Sequence, residues 1–444
     1  MSTPKPSAKP QLTFIFDLPT TDLDGKDVGK MVSKFEFKGM VNGGYAIKGT
    51  LIDPNFNILN LLVDSGYFKE TRTRPVPVIF QLRWDNQQNS SYPETATKEQ
   101  VAYLISLKAK GEQSADNGLL EFIAMDPPSW FLNMGNGNGG VYKGRVSSVI
   151  RDVVNEYAPD VNLDTGKTID SENGKWWMMR QDPKTFISSL FDWSSSITKD
   201  QTQWIFAPDG FDLVIKEQAQ LVSKQRGFYR FQEGDGHDTI RNWEFLADNA
   251  LSAVQTKLIT QGISAVSGQY FDRITDKDEQ IVFVKDSRTS RKKTARIKDD
   301  QGFTKPPDAE PQKVGWSSVT TIPEIYSAGD LGLRYDEYID GRPRAMWLNL
   351  VNALMRVKIE CVGHGEWSSC EGLGVDTAFI KWTSARKDGD DGEDKPYWWM
   401  TGNWLVYGFH HRYKRGFWWT DLYLARFDYD SVSQKVGGSG ETET

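Results

Sequence analysis

Between Arg145 and Ile215 the chain lays down two amphipathic helices, the adjacent Trp176 and Trp177 between them and then a tight hairpin; no other stretch constrains the fold as strongly. In RVSSVIRDVVNEY, Val146, Val149, Ile150, Val153 and Tyr157 recur at three- and four-residue steps. That spacing places them on one helical face, opposite Arg145, Arg151, Asp152 and Glu156. Pro159 lies just past the end, where a helix has stopped. In DPKTFISSLFDW, Asp182 can accept the free amides of a first turn and Pro183 sits where a missing N–H costs nothing. Phe186, Ile187, Leu190 and Phe191 then form a second apolar stripe. QWIF and FDLVI flank Ala207-Pro208-Asp209-Gly210, whose proline and glycine favour a turn between two strands.

The flanking sequence reads as β. Phe35 and Phe37 share one strand face while Lys34, Glu36 and Lys38 take the other, and Met40 continues the apolar beats. After a turn at Asn42-Gly43-Gly44, a short helix is predicted, with Asp53 as cap, Pro54 in its first turn, Ile58, Leu59 and Leu62 as its stripe and Gly66 as its stop. PVPVIFQLRW and GLLEFIAMD resume the strands, and Asp126-Pro127-Pro128 marks a boundary. Beyond Gly227, FYRFQ, IRNWEFLAD, AVQTKLITQGISAV and IVFVKD read as strands. From about 285 to 315 the chain is charged and poor in apolar residues, a composition that favours a long loop or local disorder. PRAMWLNLVNALM predicts a further amphipathic helix leading into the strand RVKIECV, and DGDDGEDK reads as an acidic loop.

Near the C terminus, NWLVYGFHHRYKRGFWWTDLYLARF predicts a closing hairpin. Along its second strand Phe417, Trp419, Tyr423 and Phe427 point one way and Trp418, Leu422 and Leu424 the other. Neither face is a water face. One suits an interior; the other meets another domain of the chain or another subunit. We therefore single out Trp418, Trp419, Leu422, Tyr423, Leu424 and Phe427 as packing or interface residues.

The order helix, Trp-containing segment, helix and hairpin, carried here by VSSVIRDVV, KWWMMRQDP, TFISSLFDW and WIFAPDGFDLVI, resembles the central hub proteins of contractile phage-tail baseplates and the related hub of type VI secretion spikes. The closing hairpin is similar to that family's, with a glycine and a histidine ahead of the turn and a threonine in the second strand. The resemblance covers a third to a half of the chain. It implies an α+β fold: two small tube-type antiparallel β-barrels with an inserted helical α/β domain and long charged loops. The first barrel would take residues 12–125 with 226–242, the inserted domain 126–225, and the second barrel 243–284 with 343–430. Residues 285–342 would be a charged excursion, 1–11 a flexible arm and 431–444 a flexible tail. It further implies a homotrimer adapting a six-fold tail tube to a three-fold spike around a channel for DNA. Its partners would be a tail spike or needle protein, tail-tube or tube-initiator proteins and baseplate wedge proteins, with the tape measure protein a further contact, in a virion tail assembled in the host cytoplasm. A type VI spike hub is the near alternative, and a carbohydrate-active enzyme or glycan-binding tail component the distant one.

Composition bounds the chemistry. At 444 residues the chain is expected to form about three domains. No segment approaches the roughly 20 apolar residues of a membrane helix, so no membrane insertion is expected, and MSTPKPSAKPQ has no hydrophobic signal core. Cys361 and Cys370, with His364 between them, are too few for a disulfide framework or a four-cysteine zinc site, so reduced structural thiols and no metal are expected. MGNGNGG lacks the lysine and hydroxyl residue of a phosphate cradle. His410 and His411 fall on opposite strand faces, and His237 is distant in sequence, so no triad spacing emerges. Glu366 and Asp376 are the pair of acids that a sugar-cleaving reading would use. The reading favoured is no catalysis and no cofactor. A net charge of −7 argues against stable nucleic-acid binding; the one basic run, Arg288 to Lys298, is followed at once by acidic residues.

Overall fold

A computed structural model describes residues 10–18, 24–66, 75–84, 95–111, 117–135, 139–165, 174–178, 181–193, 204–217, 225–231, 238–246, 265–270, 285–286, 319–326, 356–382, 400–414 and 416–425. The chain opens with β1 (Pro10–Phe16), β2 (Val32–Met40) and β3 (Gly44–Pro54), then α1 (Asn57–Asp64), β4 (Pro77–Trp84), β5 (Thr95–Ala96), β6 (Gln100–Gly111) and β7 (Asn117–Met125). Next come α2 (Pro127–Met134), β8 (Gly140–Gly144), α3 (Val146–Tyr157), β9 (Asn162–Asp164), β10 (Gly174–Met178), α4 (Pro183–Trp193), β11 (Trp204–Asp209) and β12 (Asp212–Glu217). The remainder is β13 (Gln225–Phe231), β14 (Ile240–Phe245), β15 (Ala265–Tyr270), β16 (Lys285–Asp286), β17 (Val319–Tyr326), β18 (Arg356–Val362), β19 (Thr377–Trp382), β20 (Gly402–Lys414) and β21 (Phe417–Ala425).

Thirteen strands make one sheet in the order β1-β4-β6-β7-β3-β2-β20-β21-β18-β14, with β5 on β4 and with β19, which carries β13, on β20. Among the described residues the architecture is thus mostly antiparallel β with four α-helices. The expected pair of separate barrels is not what the ladders draw. Among the described residues no ladder closes on itself, because β2 pairs with β20, from Lys34 opposite Lys414 to Met40 opposite Gly408, and so joins the two halves into one surface. The first six strands nevertheless curl. Ile15 bridges Asp27, and the Val28 amide donates to the Phe14 carbonyl at 2.8 Å, so β1 meets the segment that leads into β2. Inside the curl Phe14, Phe35, Phe37, Phe80 and Phe122 are fully buried and pack edge-on or tilted, with ring centroids 4.8–6.2 Å apart. Lys34 and Lys38 on the opposite face are exposed, as the alternation requires.

The helical unit has a core of its own. Val146, Val149, Ile150, Val153 and Val154 of α3 meet Phe186, Ile187 and Leu190 of α4, with Trp176 and the hairpin residues Phe206, Leu213 and Ile215. The β11–β12 hairpin turns at Gly210, whose φ of 62° suits a residue without a side chain. Two local expectations shift. Pro54 ends β3 instead of entering α1; Asn55 and Phe56 take left-handed backbone at φ 55° and 54°, and Asp53 reaches past them to accept the Ile58 and Leu59 amides, each at 2.9 Å. Asp126-Pro127-Pro128 is more than a boundary, since Asp126 caps α2 through the Ser129 amide at 2.6 Å and the prolines occupy its first turn.

This unit is joined to the sheet by buried and half-buried polar contacts. Asn42 accepts the Phe206 amide at 2.8 Å and donates to the Trp204 carbonyl at 3.2 Å. Asp126 also accepts the Tyr45 amide at 2.9 Å, and the Tyr45 hydroxyl accepts the Gly210 amide at 3.2 Å. Gln100 of β6 donates to Asp209 of the hairpin at 2.6 Å and to the Ser368 carbonyl at 3.0 Å, while Lys98 forms an ion pair with Asp209. These contacts bring together β6, the hairpin and the loop after β18. β16 and β17 of the excursion flank β15, from the segment expected in the second barrel, in a separate three-stranded sheet. The rest of the excursion, PRAMWLNLVNALM, DGDDGEDK, His237, Phe427 and both termini lie outside the described residues.

Candidate assembly surface on the closing hairpin

The closing hairpin forms because β20 and β21 alternate in step and turn at Gly416, with φ 87°. Its inward face carries Trp418, Thr420, Leu422 and Leu424, all buried. Leu422 stands opposite Phe409 on β20 and Ile359 on β18, both fully buried. The Trp418 ring stacks on Trp84 of the first half at 6.3 Å, and the Trp84 indole donates to the Gly363 carbonyl at 2.8 Å.

A buried polar cluster runs through this interior. His411 Nε2 lies 2.5 Å from the Trp367 carbonyl, which can only accept, so that nitrogen carries the proton. Nδ1 then accepts, from the Trp418 indole at 3.2 Å and the Thr420 hydroxyl at 2.8 Å. Burial pushes the His411 pKa down to about 4 against the pull of the Trp367 carbonyl, which keeps the ring neutral at neutral pH. The Trp367 indole donates to the Tyr229 hydroxyl at 3.0 Å, and that hydroxyl lies 2.9 Å from His364 Nε2. The histidine and threonine that the sequence placed on facing strands are therefore direct partners, at register His411 opposite Thr420.

The outward face is different in kind. Phe417 is 55% exposed and stacks on half-buried Trp419 at 5.3 Å; Tyr423 is half-buried under Lys38, whose ammonium is 5.5 Å from the ring centre. Between them Asp421 is buried against two cations, Arg412 at 2.8 Å and Lys358 at 3.6 Å, with His410 Nδ1 at 3.7 Å. Arg412 also pairs with Glu360, and His410 Nε2 is 3.5 Å from Glu36 of β2. Burial lowers the His410 pKa, opposed by Asp421 and Glu36. One polar network thus spans β2, β20, β21 and β18, and an Asp421 paired with Arg412 and Lys358 costs far less to bury than an isolated one. The pairing of β2 with β20 that builds this network has no local signal in the sequence.

The other residues weighed from sequence are scattered. Cys361 and Cys370 are free and buried, and burial raises both thiols well above their ordinary range. Cys361 lies 3.6 Å from His364, whereas Cys370 starts a short turn beside the Gly39 backbone. Among the described residues no three His, Cys, Asp or Glu side chains gather as a metal site. Asp376 is buried in an ion pair with Arg226, while Glu366 is half-exposed, 3.9 Å from His364 Nδ1, with its pKa raised by burial. Arg226 opposes that rise at Glu366 as well as pairing with Asp376, so the two acids face a common cation. Of the glycine-rich loop, residues 136–138 lie outside the described residues.

No protein-family model and no curated protein matches the sequence. Among solved structures, the tail protein from Neisseria meningitidis MC58 superposes with a TM-score of 0.53 at 8% identity, over 96% of this chain and 99% of that one. A 43 kDa tail protein of prophage MuSo2 from Shewanella oneidensis gives 0.49 at 9% identity, over 95% and 99%. An E. coli component of the type VI secretion system gives 0.45 at 8% identity, over 94% of this chain and 77% of that one. At this identity the first of these shows a shared fold: the chain is built on the fold of the Neisseria tail protein, in agreement with the resemblance carried by its helices, tryptophans and hairpins.

Proposed function

We propose that this chain is the central hub of a contractile-tail baseplate, a homotrimer in which the two halves of the joined sheet stand in the place of the two tube-type barrels expected from sequence, adapt a six-fold tail tube to a three-fold spike and surround the path of DNA. The observation that most supports this reading is the single sheet that β2 and β20 weld from two halves, in a fold shared along nearly its whole length with the Neisseria tail protein. The partners proposed are a spike or needle protein, tail-tube or tube-initiator proteins, wedge proteins and the tape measure protein. The outward face of the closing hairpin, with Phe417, Trp419 and Tyr423, is the proposed intersubunit surface, and Trp418, Leu422 and Leu424 pack beneath it. A closed three-fold ring buries such a surface head-to-tail against a different patch of the next subunit, without leaving a free end. The role is structural, with no catalysis.

Sedimentation of the purified chain, alone and with its spike, tests this. The expected species has three times the 50.4 kDa chain mass and binds the spike stably. It should also bind duplex DNA negligibly at physiological salt, because a chain of net charge −7 offers no extended phosphate-binding surface. A monomer that ignores the spike, tight salt-sensitive DNA binding, or glycan hydrolysis lost on changing Glu366 or Asp376 would overturn it.

A further inference from the structure

The outward face of the closing hairpin does not stop at β21. Register carries it across the seam: Trp419 stands opposite Arg412, Arg412 opposite Glu36 and Glu36 opposite Lys48, so these side chains share one side of β21, β20, β2 and β3. On β20, β2 and β3 that side carries Arg412, Lys414, Lys34, Lys38 and Lys48 against one acid, Glu36. All four lysines are exposed. Two features set this band apart from an ordinary solvated face. Lys414 lies directly opposite Lys34, a pairing that costs a ladder stability while no anion screens it. On its other side Lys414 stands opposite Phe417, which is 55% exposed and stacked on Trp419. A basic band thus runs into an exposed aromatic pair.

The cations of the band are not equally available. Lys34 pairs with Glu36, and Arg412 with Glu360 and Asp421. Among the described residues no ion pair holds Lys38, Lys48 or Lys414, and on sheet spacings these three lie within about 15 Å of one another. Three lysines are too few for duplex DNA, whose binding is built from about 6–10 phosphate contacts. A folded protein face that brings carboxylates matches them, and covering Phe417 and Trp419 recovers apolar area now in water. A second copy supplies the carboxylates. The chain carries a net charge of −7, so outside this band each copy is acidic. Where β6, the β11–β12 hairpin and the loop after β18 come together, Asp212 and Glu371 are exposed near Lys98. The Lys98 pKa is raised by its hydrogen bond to Asp209 and, against the effect of burial, by the charges of Asp209, Asp212 and Glu371. Three carboxylates there act on one ammonium, which leaves the junction acidic.

We propose that the basic band and its aromatic pair receive the acidic junction of a second copy of this chain, head to tail. This pairing rests on the trimeric reading above and names the patch that the closing hairpin meets. The test is sedimentation of the full chain across a dilution series at about 0.05 M and about 0.5 M salt, which differ strongly in screening over these distances. Wild type is expected to assemble about tenfold more weakly at the higher salt. The double variant Lys48→Glu, Lys414→Glu should weaken assembly about tenfold or more at low salt, and adding Asp212→Lys and Glu371→Lys to it should restore assembly. Thermal unfolding of the dissociated chain should change little throughout, because all four residues are exposed. Lys48→Gln, Lys414→Gln adds no repulsion within the chain and should give an intermediate loss, which separates lost contact from misfolding of the glutamate variant. A wild-type trimer indifferent to salt and to both lysine variants, or a folded glutamate variant that the two added lysines do not rescue, overturns this pairing and leaves the trimer standing. A wild type that stays monomeric with its spike overturns the trimeric reading and this pairing together. Tight duplex binding lost in the glutamate variant overturns it in favour of nucleic acid.

Discussion

Truncating Leu422 and Trp419 to alanine, side by side, separates the two faces of the closing hairpin. Leu422 is fully buried between Phe409 and Ile359. Removing three carbons loses about 0.8 kcal/mol each in transfer, near 2.4 kcal/mol together. The cavity left among neighbours held on rigid strands adds on the order of 1 kcal/mol, which puts Leu422→Ala at about 3–4 kcal/mol, inside the usual range for such sites. Trp419 is half-buried on the outward face, with Phe417 stacked on it at 5.3 Å. Losing one aromatic pair and part of its apolar area costs the isolated subunit about 1–1.5 kcal/mol. If that face meets a neighbouring subunit, Trp419→Ala costs association a further 2 kcal/mol or so, roughly thirtyfold in the dissociation constant. Urea unfolding of the dissociated chain should therefore rank Leu422→Ala well below Trp419→Ala, while sedimentation across a dilution series ranks them the other way for assembly. Equal destabilisation of the isolated chain by both substitutions would refute the argument, because Trp419 would then be covered within a single subunit.

Further outcomes follow from the buried polar groups. Burial raises the Asp126 pKa to about 6 against the Ser129 and Tyr45 amides that favour its charge, so the folded state binds the proton more tightly than the unfolded chain and the ionised carboxylate is a cost present above pH 6 and relieved as pH falls. Between pH 7 and 4.5 the wild type should gain about 2 kcal/mol on Asp126→Asn in urea unfolding. His411 has the opposite sign: its pKa, lowered to about 4 by burial, stabilises the fold fully above pH 6.5, and that stability is lost as pH drops toward 4, so wild type should lose about 3 kcal/mol relative to His411→Phe over that interval. The pair offset one another, and either substitution should uncover a pH dependence that the wild type largely masks. Gln100→Ala leaves Asp209 and the Ser368 carbonyl without their buried donor and should lower stability by about 1–3 kcal/mol, measured as a shift in thermal midpoint.

The sequence by itself determined the local elements, because their signals are local. The three- and four-residue spacing of Val146, Val149, Ile150 and Val153 can satisfy only a helix, and the alternation around Phe35 and Phe37 only a strand with one buried face; the turn expected over Ala207-Pro208-Asp209-Gly210 shifts, since Ala207, Pro208 and Asp209 stay paired in the ladder and the chain reverses from Gly210. The same alternation separated Trp418, Leu422 and Leu424 from Trp419 and Tyr423 before any contact was known. Even the start of α2 was written in Asp126 followed by two prolines, a capping signal that we read only as a boundary. Tertiary structure alone decided which strands meet. A strand edge offers the same row of amides and carbonyls whatever its side chains, so nothing in β2 names β20 as its neighbour across more than 360 residues of chain, and two units that look separate in sequence become one sheet. The same holds for the surroundings of Asp421 and His411. Each is an ordinary polar residue on a strand, and only the fold brings Arg412, Lys358 and His410 around the one, and Trp367, Trp418 and Thr420 around the other, where burial makes their pairing obligatory.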